Sequence, residues 1–407
     1  MEKCGPRPFF DAAIRQGIMD MKYIRNAKVV LENGILWDGA VVTDGDRIRA
    51  VGHENALPVP EGAEVIDAQG AYVGPGFVDI HVHGGEGIFL YQDPRGAVRH
   101  FLENGETTVL AALYYDVSKE EFLSAIGRVK EAMGSVSGPQ DPARALGGIY
   151  MEGPYMNPKY GARSDLNQWK GPILAEDYKP IVDAAGDLVK VWAVAPEREG
   201  LMPFLTYAKK VNPTVAISAG HTEATPEEMR KYKRMGLISM THCMNATGRI
   251  EKLKGVRAAG PDEACLTDPE MYAEIICDSQ AIHVNPDNIR LILRCKGVDK
   301  TILITDSFVS YEESPEDLRY IKDLVFDGNR DLNGSKMTMN IACRNIMTHT
   351  NCGIAQAFLM ASRNPARLIG MEDEIGTIEE GKRANLVFVD DTFEVKRVML
   401  EGEFFEE

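Results

Sequence analysis

The sequence has no Cys-x-x-Cys pair, and its seven cysteines (Cys4, Cys243, Cys265, Cys277, Cys295, Cys343 and Cys352) are scattered and odd in number. That argues against a disulfide framework and fits free thiols in a reducing compartment. No apolar run approaches the roughly 20 residues that a membrane-spanning helix needs. Pro6, Arg7, Pro8, Asp11 and Arg15 interrupt the first twenty residues, where a signal peptide would carry an apolar core. The cytoplasm is the expected location. Basic residues are in deficit too, Lys plus Arg 45 against Asp plus Glu 61, for a formal charge of −16. No nucleic-acid or anionic-membrane surface is therefore expected, although a local basic pocket is compatible with that balance. Internal repeats and low-complexity segments are missing as well. What is present is a globular composition, 44% hydrophobic and 26% charged over 407 residues, long enough for one large domain or two to three ordinary ones.

Two textures alternate along the chain. Tyr23–Leu31, Ile35–Val42 and Arg47–Val51 are short apolar or alternating runs with Asn33-Gly34 and Asp44-Gly45 between them. Those dipeptides supply the positive φ of a tight hairpin turn. The signature returns in Ala384–Val389 and Val395–Leu400. Neither end can bury a core alone, so residues 23–72 and 371–407 are expected to join in one small β-sandwich. Residues 1–22 form an N-terminal extension for which disorder, packing on a neighbour and a start at Met19 or Met21 all stay open. Between the ends, strand candidates fall near 76–83, 107–113, 146–152, 188–194, 213–219, 237–242, 273–278 and 300–306. Thr225-Pro226-Glu227-Glu228 is a capping box with proline at the first helical position, opening a helix that stops at Gly236. Asn285-Pro286 opens another, which Gly297 closes. Strands alternating with helices predict a parallel (β/α)8 TIM-like barrel over residues 73–370. A doubly wound open sheet would carry a glycine-rich phosphate loop after its first strand, and no such loop is readable.

Candidate metal ligands fall at the ends of these strands. His81 and His83 close the first, in GFVDIHVHGG, where alternation turns both imidazoles to one side. Glu152 ends the third strand, His221 the fifth, His242 the sixth and Asp306 the eighth. In a barrel these ends converge on one rim, where such barrels build their active sites. Imidazoles with carboxylates suit zinc and related divalent ions. A single histidine at a strand end is ordinarily a polar residue meeting solvent, and Glu152 before Gly153-Pro154 could merely cap a turn. The joint pattern carries the assignment, because every one of those plain explanations would have to hold at once.

The segments PGFVDIHVHGG (75–85), MEGPYMNP (151–158), APE (195–197), SAGHTEAT (218–225), THCMNAT (241–247), LITDS (303–307), LNGSKMTMNIACRN (332–345) and NPARLIG through GKRANLVFVD (364–390) follow one another in a specific order. In that order the chain resembles the N-acetylglucosamine-6-phosphate deacetylases of the amidohydrolase superfamily, from about residue 23 to the end. The resemblance implies the same barrel with a sandwich from both termini, and a homodimer whose neighbouring subunit reaches toward the phosphate. It implies that Glu152, His221 and His242 hold the main metal, that His81 and His83 match a pair some members use for a second, and that one or two divalent ions, zinc first, sit in each subunit. Asp306 matches the catalytic acid/base. Asn245, the backbone of Ala246, and His283 match positions that touch the sugar or its phosphate.

Three departures bear on the substrate. Arg163 stands near where the family has a histidine. Asp278-Ser279-Gln280-Ala281-Ile282-His283 is two residues longer than the family's Asp-Gly-x-His. The usual phosphate segment after Asn245 is replaced by Arg249, Lys252, Lys254 and Arg257, which with Arg163 are expected to hold the phosphate, the alternative being a solvated charged loop. The expected reaction is hydrolysis of the N-acetyl group of an amino sugar, N-acetylglucosamine 6-phosphate or a close isomer, to the amine and acetate. The alternative is a deacylase of an unphosphorylated or differently acylated amino sugar. A cyclic-amide hydrolase fits less well, because its fourth-strand lysine would be Lys190, at the wrong end of VKVWAVAPE. An inactive scaffold would have lost ligands, and none is missing. Cys243 is expected to face the helices rather than the site, since neighbours on a strand face opposite sides. Met337, Met339 and Met347 are expected to fill the core.

Overall fold

The computed structural model describes residues 21–161, 164–248, 258–309, 314–326 and 330–406. Eight parallel strands stand in sequence order: Phe77–Val82, Glu106–Tyr114, Leu146–Glu152, Val189–Val194, Ala216–Ala219, Leu237–Met240, Tyr272–Ile276 and Thr301–Ile304. The last is joined to the first through the rim. The Asp306 N–H donates to the His81 carbonyl at 3.0 Å, and the His83 N–H to the Ser307 carbonyl at 2.9 Å. This is the expected (β/α)8 barrel.

The strands form because both of their faces are covered, which favours near-continuous apolar runs. All nine residues of the second strand are buried. Val109, Ala111 and Leu113 pack with helix residues such as Phe101 and Phe122. Leu110, Ala112 and Tyr114 instead pack with Tyr150 of the third strand. Between strands the helices start where the chain provides a cap. Ser118 with Glu121, and Thr225 with Glu228, make reciprocal boxes. The helix from Pro226 ends at Tyr232 and tightens into a 3₁₀ turn before Gly236 at φ 91°. Asn285 and Gly297 bound the helix Pro286–Lys296. Cys243 packs with the barrel–helix core and Met337 and Met339 are fully buried, as expected.

Both termini meet in a single hydrogen-bonded sheet of eight strands, 21–75 from one end and 386–405 from the other. The long strand Met21–Leu31 divides its pairing: Lys22–Arg25 beside Glu64–Asp67, and Lys28–Val29 beside Tyr72–Val73. The sheet packs on a core that takes Ile24, Val29 and Val41 from one terminus and Leu386, Phe388 and Met399 from the other. Its first strand begins at Met21, two residues before the expected start, because Met21 and Lys22 already pair with Asp44 and Thr43. The remainder of the N-terminal extension, residues 1–20, lies outside the described residues. Among the described residues no helix is long and apolar enough to cross a membrane.

Candidate metal centre

The Glu152 carboxylate sits among four imidazoles. Its Oε1 lies 2.7 Å from His221 Nε2 and 3.2 Å from His242 Nε2. Its Oε2 lies 3.3 Å from His83 Nε2 and 3.5 Å from His81 Nε2. Two buried donor sets result, His81–His83–Glu152 and Glu152–His221–His242, each with its ligand atoms within 4.8 Å of one another. Glu152 belongs to both. The Asp306 carboxylate stands beside the first set, 3.2 Å from His83 Nε2 and 3.7 Å from His81 Nε2. Its side chain is 16% exposed where that of His81 is 0%, so Asp306 meets the cavity and His81 stands behind it.

Local backbone geometry explains how these side chains meet. Glu152 and His81 stand on strands, and the Tyr150 ring stacks on the His81 imidazole at 4.3 Å. His221, His242 and Asp306 each come two residues after a strand ends, at φ 44°, 29° and 48°. Non-glycine residues at positive φ are uncommon and collect at functional sites. The His221 turn is braced by Glu197, whose carboxylate accepts from the Thr222 hydroxyl, the Glu223 N–H (2.8 Å) and the Asn157 side chain (2.8 Å). The MEGPYMNP, APE and GHTEAT segments therefore interlock behind one ligand. His242 donates its Nδ1–H to the Asn245 carbonyl at 3.1 Å, which leaves Nε2 free to act as a ligand.

The donor set fits a divalent cation. His221 Nε2 and His242 Nε2 approach to 3.1 Å while both face one carboxylate oxygen. His81 Nε2 is buried with no hydrogen-bond partner. The local field also stabilises positive charge. Burial pushes the His83 imidazole down, yet Asp306 and Glu152 more than reverse this and lift it to about 10. Burial likewise opposes charge on His242, and Glu152 and Asp306 raise it to about 9. Burial pushes both carboxyls up, but the histidines hold Glu152 and Asp306 well below the usual carboxylate range.

Beside this centre the structure brings together three of the expected substrate contacts. Asn245 donates from its side-chain amide to the His283 carbonyl at 3.1 Å. His283 Nδ1 lies 3.1 Å from the Asp278 carboxylate, which also accepts from the N–H groups of Ile282 and His283. The two extra residues are thus absorbed in a turn that keeps aspartate and histidine paired. Asn245, Ala246 and His283 line a cavity of about 260 Å³ together with Glu152, His221, His242 and Asp306. Arg163, Arg249 and Arg257, with Lys252 and Lys254, lie outside the described residues.

Residues 72–404 match the family model for the Amidohydrolase family. The chain belongs to the amidohydrolase family. An N-acetylgalactosamine-6-phosphate deacetylase of Escherichia coli O157:H7 is 27% identical over 363 residues, 85% of this chain and 90% of its own length. An N-acetylglucosamine-6-phosphate deacetylase of Bacillus subtilis (strain 168) is 28% identical over 394 residues, 93% of this chain and 96% of its own. A solved N-acetylglucosamine-6-phosphate deacetylase from Pasteurella multocida shares the fold, with a TM-score of 0.81 at 24% identity over 95% of this chain and 100% of that one. Amidohydrolases depend on a metal, and the two His/Glu groups are the part of this amidohydrolase suited to hold it.

Four further residues line the cavity of this amidohydrolase without having been expected there. Tyr114 and Phe308 stand edge-on to His83 at 5.1 and 5.4 Å. Tyr115 stands edge-on to His221 at 5.5 Å, and Asn333 also lines the cavity. Tyr114 ends the second strand and Phe308 follows Asp306 by two, so the rule that found the ligands could have flagged both. Gly161, at φ 111°, is required bare. A Cβ there would fall 1.9 Å from the Tyr115 hydroxyl and 3.0 Å from His221 Nδ1.

Proposed function

We propose that this amidohydrolase removes the N-acetyl group from an amino sugar carrying a 6-phosphate, N-acetylglucosamine 6-phosphate or its galactosamine isomer, giving the amine and acetate. The observation that carries the reading is Glu152 shared by two donor sets with Asp306 alongside, in a chain whose relatives of that activity align over most of its length. Zinc is the proposed metal, two ions per subunit, which His81, His83, Glu152, His221 and His242 would hold. Bound there, such an ion would supply a water whose pKa falls from about 15.7 to about 7 and a Lewis acid for the acetyl carbonyl.

The chain's own residues do the rest. Asp306, ionised under the influence of His81 and His83, takes a proton from the attacking water and then delivers it to the departing nitrogen. One carboxylate serves as base and then as acid. Asn245, Ala246 and His283 orient the sugar, and the cations Arg163, Arg249 and Arg257 meet the phosphate. The enzyme works in the cytoplasm as a homodimer, for which light scattering should return twice 44.9 kDa; a monomer at working concentration contradicts the dimer. The reaction itself is tested by amine release from N-acetylhexosamines with and without 6-phosphate. Fast cleavage of the phosphorylated sugars alone is the expected result, with most of that preference lost in Arg163→Ala through KM. Equal rates on both forms would transfer the reading to unphosphorylated amino sugars, and no release from either would end it.

A further inference from the structure

The chain leaves the sixth barrel strand through a tight loop, residues 241–248, that carries one metal ligand and two of the expected substrate contacts. His242, Met244 and Ala246 stand there at φ 29°, 65° and 50°. Such left-handed conformations are unfavourable for residues with a Cβ and persist only where the surroundings over-determine them. Backbone bonds hold the two ends of the loop. The Cys243 N–H donates to the Glu274 carbonyl at 2.7 Å, and the Gly248 N–H to the Thr222 carbonyl at 2.9 Å. The stretch between them is gripped by a side chain from the next helix.

That side chain is Asp262, in the first turn of the helix Pro261–Thr267. Its Oδ1 accepts from the Met244 N–H at 2.8 Å and stands 3.6 Å from the Cys243 thiol, while its Oδ2 accepts from the Thr247 hydroxyl at 2.6 Å. An acid in a first turn ordinarily serves its own helix. Here the neighbouring Glu263 does so, accepting from the Gly260 N–H at 2.8 Å, and Asp262 turns both oxygens to the loop. One carboxylate thus holds the chain on either side of Asn245 and Ala246. Both of those residues line the cavity, and Asp262 does not. The effect of Asp262 reaches the site through the loop in two ways. The Asn245 carbonyl accepts from His242 Nδ1, which fixes the aim of the opposite ring nitrogen at Glu152. The Asn245 amide reaches across to the His283 carbonyl, so the loop also sets the spacing of the two substrate contacts.

We propose that Asp262 is a positioning residue of the metal centre, which by holding Met244 and Thr247 sets the aim of His242 and the place of Asn245 and Ala246. The inference rests on the metal site and deacetylation proposed above. Its test compares wild type with Asp262→Ala, Asp262→Asn and Thr247→Val, first by titrating the chelator-stripped proteins with zinc alone. Outer partners of metal ligands carry about 10- to 100-fold of the affinity. Asp262→Ala should weaken one zinc step by that factor and leave the other, which His81 and His83 serve, nearly unchanged. Asp262→Asn should recover most of the loss, because its carbonyl oxygen can accept from Met244 while its amide donates to the Thr247 hydroxyl. Thr247→Val, with one grip lost, should fall between the two. At saturating zinc, Asp262→Ala should also raise KM for N-acetylglucosamine 6-phosphate about 10-fold through Asn245 and Ala246. A purely structural Asp262 would lower the urea midpoint and leave zinc affinity and KM of the folded variants at wild-type values, which overturns the proposal. Should Asp262→Ala fail to fold, wild-type zinc affinity in Thr247→Val overturns it equally. A wild type that takes up no zinc removes the metal site and this inference together. One that binds zinc but cleaves no sugar removes the deacetylation alone, and the zinc steps still decide the role of Asp262.

Discussion

Two adjacent layers of the barrel interior treat their buried polar groups in opposite ways. At the rim, five side chains converge on one another with bonds to spare: His81 finds no hydrogen-bond partner for either ring nitrogen, and His83 and His221 each leave Nδ1 unpaired. Just beneath, Tyr150, Ser218, Ser239, Thr241 and Glu274 close into a network. Glu274 accepts from the Ser239 hydroxyl at 2.5 Å and the Tyr150 hydroxyl at 2.9 Å. Thr241 meets both Tyr150 and Ser218 at 2.7 Å. Burial raises the Glu274 pKa, as it should for a carboxyl held by neutral hydroxyls. A chain folding by itself pairs its buried polar groups, so the lower layer is complete without a ligand and the upper one is not. The upper layer is built for binding, and the lower is the floor that fixes where its ligands stand.

The largest effects should come from the rim. Glu152→Ala removes the member common to both donor sets, and His242→Ala breaks one of them; both should abolish turnover and strip the metal, since three protein ligands are the working minimum of a catalytic zinc site. His81→Ala should instead lower the metal content from two equivalents to one. Full metal and full rate in Glu152→Ala would refute the reading of the rim. Next in size is Asp306→Asn, which keeps the shape and removes the proposed proton carrier. Turnover should fall about 10²–10⁴-fold, toward the upper end because one group serves both transfers, with metal content nearly unchanged. Near-normal turnover would take the proton work away from Asp306.

The lower layer should respond in stability rather than chemistry. Glu274→Ala leaves the hydroxyls of Tyr150, Ser218 and Ser239 without their common acceptor. An unpaired buried group costs about 1–3 kcal/mol, so the urea midpoint should fall by an amount readable at constant m-value. Glu274→Gln, neutral and nearly isosteric, should lose less. A Glu274→Ala enzyme of normal stability but poor turnover per bound metal would show that the two layers are one functional unit.

Legibility in the sequence followed the same division. His81, His83, Glu152, His221, His242 and Asp306 were readable because the eight-strand pattern says where rims are, and alternation says which residues share a side. The barrel order was readable for the same reason. Glu197 was visible only as part of a motif, since a brace two loops away from its ligand leaves no periodic trace. Tyr150 and Glu274 read as ordinary members of buried strands, because their partners come from four different strands. Asn333 was hidden by a one-residue shift in a short hairpin, which only the folded register reveals. The cationic cluster near Arg249 and Arg257 rests on the sequence alone.

The smallest predicted effect is the most delicate probe of the boundary between layers. Tyr150 belongs to both: its ring stacks on His81 while its hydroxyl joins Thr241 and Glu274. Tyr150→Phe removes the hydroxyl and retains the ring. If the floor acts only by holding the fold, the variant should lose about 0.5–1.5 kcal/mol of stability, the net worth of an ordinary hydrogen bond, and keep its metal stoichiometry and rate. The Glu274 carboxyl would still hold Ser239, so the network should not collapse. Equilibrium unfolding of the metal-loaded and chelator-stripped forms separates the possibilities. Equal losses in both forms place the hydroxyl in the floor alone. A loss confined to the metal-loaded form means that Tyr150 sets the orientation of His81, and that the apparent boundary between the unfinished rim and the finished floor runs through a single side chain.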